Sequence, residues 1–247
     1  MDRLVYTAAT GARHILEQQA TTSNNLANAT TTGFRAQLDS FRAVPVVAEG
    51  LPTRTFVVDN TVGSDFRAGA MQTTGRALDV ALRGDGFIAV QSTDGSEAYT
   101  RNGSLKVSEN GMLQTAAGLT LVGENGPIAI PPDAQVAIAA DGTVSAIDTT
   151  QTQPGPSNVL GRIKLVNPDV KGLVRGDDGL FRQQSGLPAD PDQNVRLADG
   201  TLEGSNVNPI DAMVNMITLA RSFETQMSLL KNAENNAAKA TQILALN

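Results

Sequence analysis

The last 43 residues contain no glycine and a single proline, Pro209, placed where a helix would begin. Between residues 71 and 204 the opposite holds. Asp-Gly pairs begin at 85, 94, 141, 178 and 199, and Asn-Gly pairs at 102, 110 and 125. Glycine after Asn or Asp supplies the positive φ of tight turns, so this stretch has room only for short strands. Residues 2–32 share the helical character of the C-terminus. The contrast predicts an α+β chain with a β-rich centre that folds by itself and two helical ends that need a partner. That is the organisation of an assembly subunit.

The two ends are unequal. From 3 to 29, Leu4, Ala8, Ala12, Ile15, Leu16, Ala20, Leu26 and Ala27 recur mostly at steps of three and four, giving a narrow stripe of small side chains. Three β-branched residues before Gly33 (Thr30, Thr31 and Thr32) predict the helix stop. At the other end, Asn208-Pro209-Ile210-Asp211 offers an N-cap, a proline at N1 and a carboxylate at N3. Met216, Ala220, Phe223, Met227, Leu230, Glu234, Ala237, Thr241 and Leu244 then alternate steps of four and three, and seven of the nine are apolar. This reads as a coiled-coil-like seam, so the terminal helices are expected to pair. The core stripe of an ordinary helix is the alternative. A helix from 209 to 246 would be about 57 Å long at about 1.5 Å per residue, too long to hide along a compact domain of this size.

The middle divides in two. Pro45, Gly50, Pro52, Gly63 and Gly69 punctuate residues 36–70, which predicts an extended connector. Residues 71–204 form the expected central all-β domain, and 1–35 with 205–247 the helical one. Residues 78–82 and 87–90 flank Gly84-Asp85-Gly86 and read as a hairpin. Further strands are expected at 97–101, 104–108, 112–115, 119–122, 135–140, 143–147, 159–166, 179–183 and 194–198. Loops are expected at 151–158, 171–178 and 186–192.

Composition narrows the function. The net charge of -6 argues against nucleic-acid binding, which requires clustered cations. Without cysteine there is no disulfide, zinc thiolate or thiol nucleophile. No cleavable signal peptide or membrane-spanning run is expected. Gly84-Asp85-Gly86-Phe87-Ile88-Ala89 fits the loose dinucleotide pattern, but strand-like residues follow it where a helix is needed. The one histidine, His14, lies in the first helix. The pairs Asp177-Asp178 and Asp190 with Asp192 lack the D-x-D-x-D-G order of a calcium loop. No catalytic, cofactor or metal residue is assigned, and the chain is not expected to be an enzyme. A wall-cutting hydrolase and a secreted adhesin are rival classes, and neither requires the terminal helices.

Three blocks carry a resemblance. Ser23-Asn24-Asn25-Leu26-Ala27-Asn28-Ala29-Thr30-Thr31-Thr32-Gly33-Phe34-Arg35 resembles the N-terminal signature of bacterial flagellar rod and hook proteins. Residues 78–87 with Tyr99-Thr100-Arg101-Asn102-Gly103 resemble their shared β-domain. Glu203-Gly204-Ser205-Asn206-Val207-Asn208-Pro209 and Met213-Val214-Asn215-Met216-Ile217 resemble the C-terminal signature. Residues 34–38, 42–46, 177–182 and Ala220-Arg221-Ser222-Phe223-Glu224-Thr225-Gln226-Met227 are most similar to the proximal-rod subtype, with distal rod or hook as the alternative.

The resemblance implies a rod subunit spanning the periplasm, stacked helically with proximal and distal rod proteins and with its own copies. It implies export through the type III apparatus without a cleaved signal; charge and hydropathy give the expectation of no nucleic-acid binding and no membrane insertion. The expected assembly interface comprises Leu4, Ile15, Asn24, Asn25, Leu26, Asn28, Met213, Met216, Ile217, Ala220, Phe223, Met227 and Leu230. The asparagines either bond across subunits or simply end the helix. Both termini are expected to be disordered in the monomer and to order on assembly.

Overall fold

The structure, a computed structural model, describes residues 2–45, 55–132, 134–148 and 158–244. Residues 151–157 of the loop expected at 151–158, and the side chains of Leu4, Thr241 and Leu244, lie outside the described residues, while Asn158 begins a strand. The chain forms two compact units. The first takes 1–29, 36–65 and 207–247; the second takes 30–35 and 66–206.

In the first unit, helix α1 (Asp2–Ala27) ends just before the threonine run. Strands β1 (Gln37–Pro45) and β2 (Thr55–Ser64) follow, and helix α2 (Pro209–Leu244) completes the unit. The start of α2 is capped by Asn208, whose Oδ1 accepts the Ile210 N–H at 3.0 Å while its Nδ2 donates to Asp211 Oδ2 at 2.8 Å. Gly11 faces Gln226, and Val5 lines a groove with Leu230, Ala233 and Ala237, so the two helices run antiparallel.

The expected fold class, with paired coiled-coil-like helices, an extended connector and a central all-β domain, needs two corrections. Within the 36–70 stretch expected as an extended connector, residues 37–45 and 55–64 form paired strands. β1 and β2 pair antiparallel from Gln37↔Ser64 to Pro45↔Thr55, with a register shift between Ser40 and Phe41. This ladder backs onto α1: Thr21 Oγ1 donates to Asp39 Oδ1 at 2.7 Å, and the His14 and Phe41 rings meet edge-on at 5.6 Å. A two-stranded ladder, marginal by itself, is thus held by a helix.

The second correction concerns the seam. The side of α2 that is covered carries Ala212, Met216, Leu219, Phe223, Gln226, Leu230, Ala233 and Ala237, while Met227 and Glu234 are exposed. The packed face is therefore rotated from the expected one, and a glutamine sits in it. Gln226 packs over Gly11 of α1, where a Cβ would make ordinary van der Waals contact with it at 3.5 Å.

The second unit contains β3 (Met71–Thr73), β4 (Val80–Arg83), β5 (Phe87–Gln91), β6 (Glu97–Thr100), β7 (Leu105–Val107), β8 (Leu113–Thr115), β9 (Thr120–Gly123) and β10 (Gly126–Pro127). It continues with β11 (Ala134–Ile138), β12 (Thr143–Asp148), β13 (Asn158–Arg162), β14 (Leu165–Val166), β15 (Leu173–Arg175), β16 (Phe181–Gln183), β17 (Arg196–Asp199) and β18 (Thr201–Glu203). The main sheet has the order β15-β16-β6-β5-β9-β8-β7, with β14 on β5 and β10 on β9. A three-stranded sheet β11-β12-β13 and the pairs β4–β17 and β3–β18 complete it. The core includes the fully buried Leu82, Ile88, Leu105, Leu113, Leu121 and Ile163. A second cluster gathers Phe87, Tyr99, Val166 and Phe181, with Phe66 packed against them.

The expected hairpin of 78–82 with 87–90 is also corrected. Gly84 and Gly86 both have positive φ and turn the chain, but β4 pairs with β17 while β5 pairs with β6, β9 and β14. Likewise β15 lies inside the 171–178 stretch expected as loop.

Candidate assembly surface

The side of α2 away from α1 begins with four apolar residues at positions 210, 213, 214 and 217, which share one helical face. Ile210 is 70% exposed and Met213, Val214 and Ile217 are 53–56% exposed. The covered side carries Met216, Ala220, Phe223 and Leu230, all partly buried. The expected interface set is therefore split. Met213, Ile217 and Met227 are open, whereas Met216, Ala220, Phe223 and Leu230 turn inward. On α1, Ile15 and Leu26 are partly covered, while the flanking Val5, Tyr6 and Leu16 are exposed.

The side chains of Asn25 and Asn28 have partners within the chain, and Asn24 contributes its carbonyl. Asn25 holds β1 from both sides, its Oδ1 accepting the Gln37 N–H at 2.8 Å and its Nδ2 donating to the Gln37 carbonyl at 2.9 Å. Asn28 Nδ2 donates to the Asn24 carbonyl at 2.9 Å, and the Asn28 N–H reaches the same oxygen at 3.1 Å. These bonds close the last turn of α1 and tie the hairpin to it. His14 faces Glu17, whose carboxyl is held below its ordinary value mainly by the hydrogen bond from Arg13.

A buried group of charges escaped the sequence reading. Arg35 Nη2 donates to Glu203 Oε1 at 2.6 Å, and both side chains are fully buried. Arg101 Nε stands 2.9 Å from Glu203 Oε2, an ion pair outside hydrogen-bond geometry. Glu203 Oε1 also accepts the Gly69 N–H at 2.9 Å, and the Glu203 carbonyl accepts the Gly33 N–H at 2.7 Å. Burial pushes the Arg101 guanidinium below its usual range, a shift that Glu203 opposes and Arg35 reinforces. Arg175 stacks over the Phe34 ring at 4.3 Å and donates to the Arg35 carbonyl at 2.7 Å. Arg35, Arg101 and Glu203 come one each from the three sequence blocks of the resemblance, so blocks far apart in the chain meet at a single point in the β-rich unit.

Three family models match the chain. One, described as flagella basal body rod protein, covers 5–35; one, described as flagellar hook protein FlgE/F/G D1 domain, covers 81–146; and one, described as flagellar basal body rod FlgEFG protein C-terminal, covers 198–243. The chain belongs to the flagellar basal-body rod protein family. Within that family it is similar to the FlgF proteins. It is 49% identical to flagellar basal-body rod protein FlgF of Escherichia coli and 45% identical to that of Salmonella typhimurium, each match covering 100% of both chains. Its identity to flagellar basal-body rod protein FlgG of Buchnera aphidicola is 32% over 90% of this chain and 92% of the relative.

Proposed function

We propose that this chain is a non-catalytic structural subunit of the proximal part of the flagellar basal-body rod. It packs with its own copies and with other rod proteins, and it transmits motor torque across the periplasm after export through the type III apparatus. Torque transmission calls for stiffness, and the β-rich unit supplies a rigid body while the terminal helices supply the joint. The observation that carries the proposal is the apolar face of Ile210, Met213, Val214 and Ile217, left uncovered in the single subunit. Fully burying one such side chain contributes roughly 1.5–3 kcal/mol, so a neighbour covering several of them would order both helices. The full-length match of 49% to FlgF, against 32% to FlgG, favours the proximal position over the distal one.

The double variant Met213→Glu with Ile217→Glu tests this. It should leave the thermal midpoint of the isolated subunit nearly unchanged and abolish its ability to restore motility to cells lacking the native chain. Full motility with both glutamates in place would refute the assembly role of this face.

A further inference from the structure

The buried charges at Arg35, Arg101 and Glu203 stand apart from the exposed helix face, and stability alone accounts for them poorly. Two cations and one anion are buried together, with side-chain exposures of 0%, 3% and 0% respectively. Among the described residues, Arg35 Nε and Nη1 have no hydrogen-bond partner. Apolar residues of similar volume commonly match or exceed the stability of such a group.

What apolar packing lacks is direction. Glu203 gathers three segments: Gly33 to Arg35, just past α1; Gly69; and Arg101, at the end of β6. Glu203 is itself only a few residues before α2. The approach is close enough to need glycine. A Cβ on Gly33 would fall 2.4 Å from the Arg101 carbonyl carbon, and one on Gly69 would fall 2.1 Å from the Gly204 oxygen. A slip of one residue would put Leu202 or Gly204 in place of Glu203 and deprive two buried guanidinium groups of the carboxylate they share. Such a slip is strongly disfavoured, whereas an all-apolar contact would tolerate it.

We infer that the Arg35–Glu203–Arg101 cluster is a register pin, fixing the residue offset between the two chain segments that continue into the terminal helices. Its role is to make that offset unique, and uniqueness is what a repeating assembly requires of each subunit.

The test uses the full chain with Arg35→Met, Arg101→Leu and Glu203→Leu together. The chain has no cysteine, so spin labels can be placed uniquely at Ala27→Cys and Ile210→Cys, two exposed positions where the helices begin and end. Pulsed electron paramagnetic resonance then reads the distance between them. The pinned chain should give one narrow distribution. The triple variant should still melt cooperatively but give a broadened or multiple distribution, with motility lost. A triple variant that melts cooperatively and keeps the narrow distribution would overturn the inference. Failure of the variant to fold would overturn it too, because the cluster would then be a stabiliser of the β-rich unit. The distance readout does not depend on the role proposed for the exposed face of α2.

Discussion

Gly33 has two reasons to be glycine: a φ of +70° and a Cβ position that would overlap the backbone of Arg101. Only the first reason belongs to local sequence, where Gly after three threonines marks a helix end. The overlap depends on a residue far along the chain. The same holds for Arg35, Arg101 and Glu203, since isolated charges in a sequence read as solvated surface until folding brings them together.

Asp178 shows a charge whose effect is local and testable. Its carboxylate accepts from Arg182 at 2.6 and 3.1 Å and from the Leu180 N–H at 3.1 Å. These contacts, the Arg182 hydrogen bond first, hold its pKa below the ordinary 3.8. A lowered folded-state pKa means that the stabilisation is complete above about pH 3.8 and is lost as pH falls through the folded value. Asp178→Asn should therefore lower the urea midpoint at pH 7, and the gap to the native chain should close at acidic pH. Because the site is partly solvated, the effect at neutral pH will be modest. A gap that stays constant down to the acid transition would show that the pairing contributes nothing.

At the scale of elements, α2 was the most legible feature. Its cap, its proline and its length all follow from residues next to one another. Most strands of the β-rich unit were also legible, because Asn-Gly and Asp-Gly mark their ends. Seven of those eight glycines have positive φ. The exception, Gly103, serves a close approach instead, since a Cβ there would fall 1.7 Å from the Val80 oxygen. Strand partners were not legible. Gly84-Asp85-Gly86 turns the chain, yet β4 and β5 find their neighbours elsewhere, and a turn motif carries no information about distant strands. The β1–β2 ladder was missed because its stabilising contacts come from α1. Asp39, read alone, is a poor strand residue; bonded to Thr21 it is anchored.

This dependence predicts the behaviour of Asn25→Ala. It removes two hydrogen bonds to the Gln37 backbone, each worth roughly 0.5–1.5 kcal/mol net. Hydrogen exchange at Gln37 to Arg42 should accelerate by about an order of magnitude for each 1.4 kcal/mol lost, while exchange in the β-rich unit stays unchanged. Equal acceleration in both units would show that Asn25 supports the whole fold and not the hairpin specifically.

For the whole molecule, the division into two units sets the account. The β-rich unit has a core of fully buried aliphatic side chains such as Leu82, Ile88 and Leu113. Among the described residues, the helical unit fully buries only small apolar residues, Ala8, Ala12, Ala212 and Ala233, covers large ones such as Phe223 and Leu230 in part, and leaves others such as Ile210 and Ile217 exposed. Burial per residue decides which part is stable alone, because each ordered residue costs about 1–2 kcal/mol of backbone entropy. The central claim is that the β-rich unit is self-sufficient and that the terminal helices are completed by neighbouring subunits. Amide hydrogen exchange on the free subunit and on purified basal bodies tests it most directly. Slow exchange is expected in β5, β6 and β9 in both states, and in α1 and α2 exchange that is measurably protected but faster than in those strands in the free subunit and that slows to match them only in the assembled rod. Helices protected in the free subunit as strongly as those strands would contradict it.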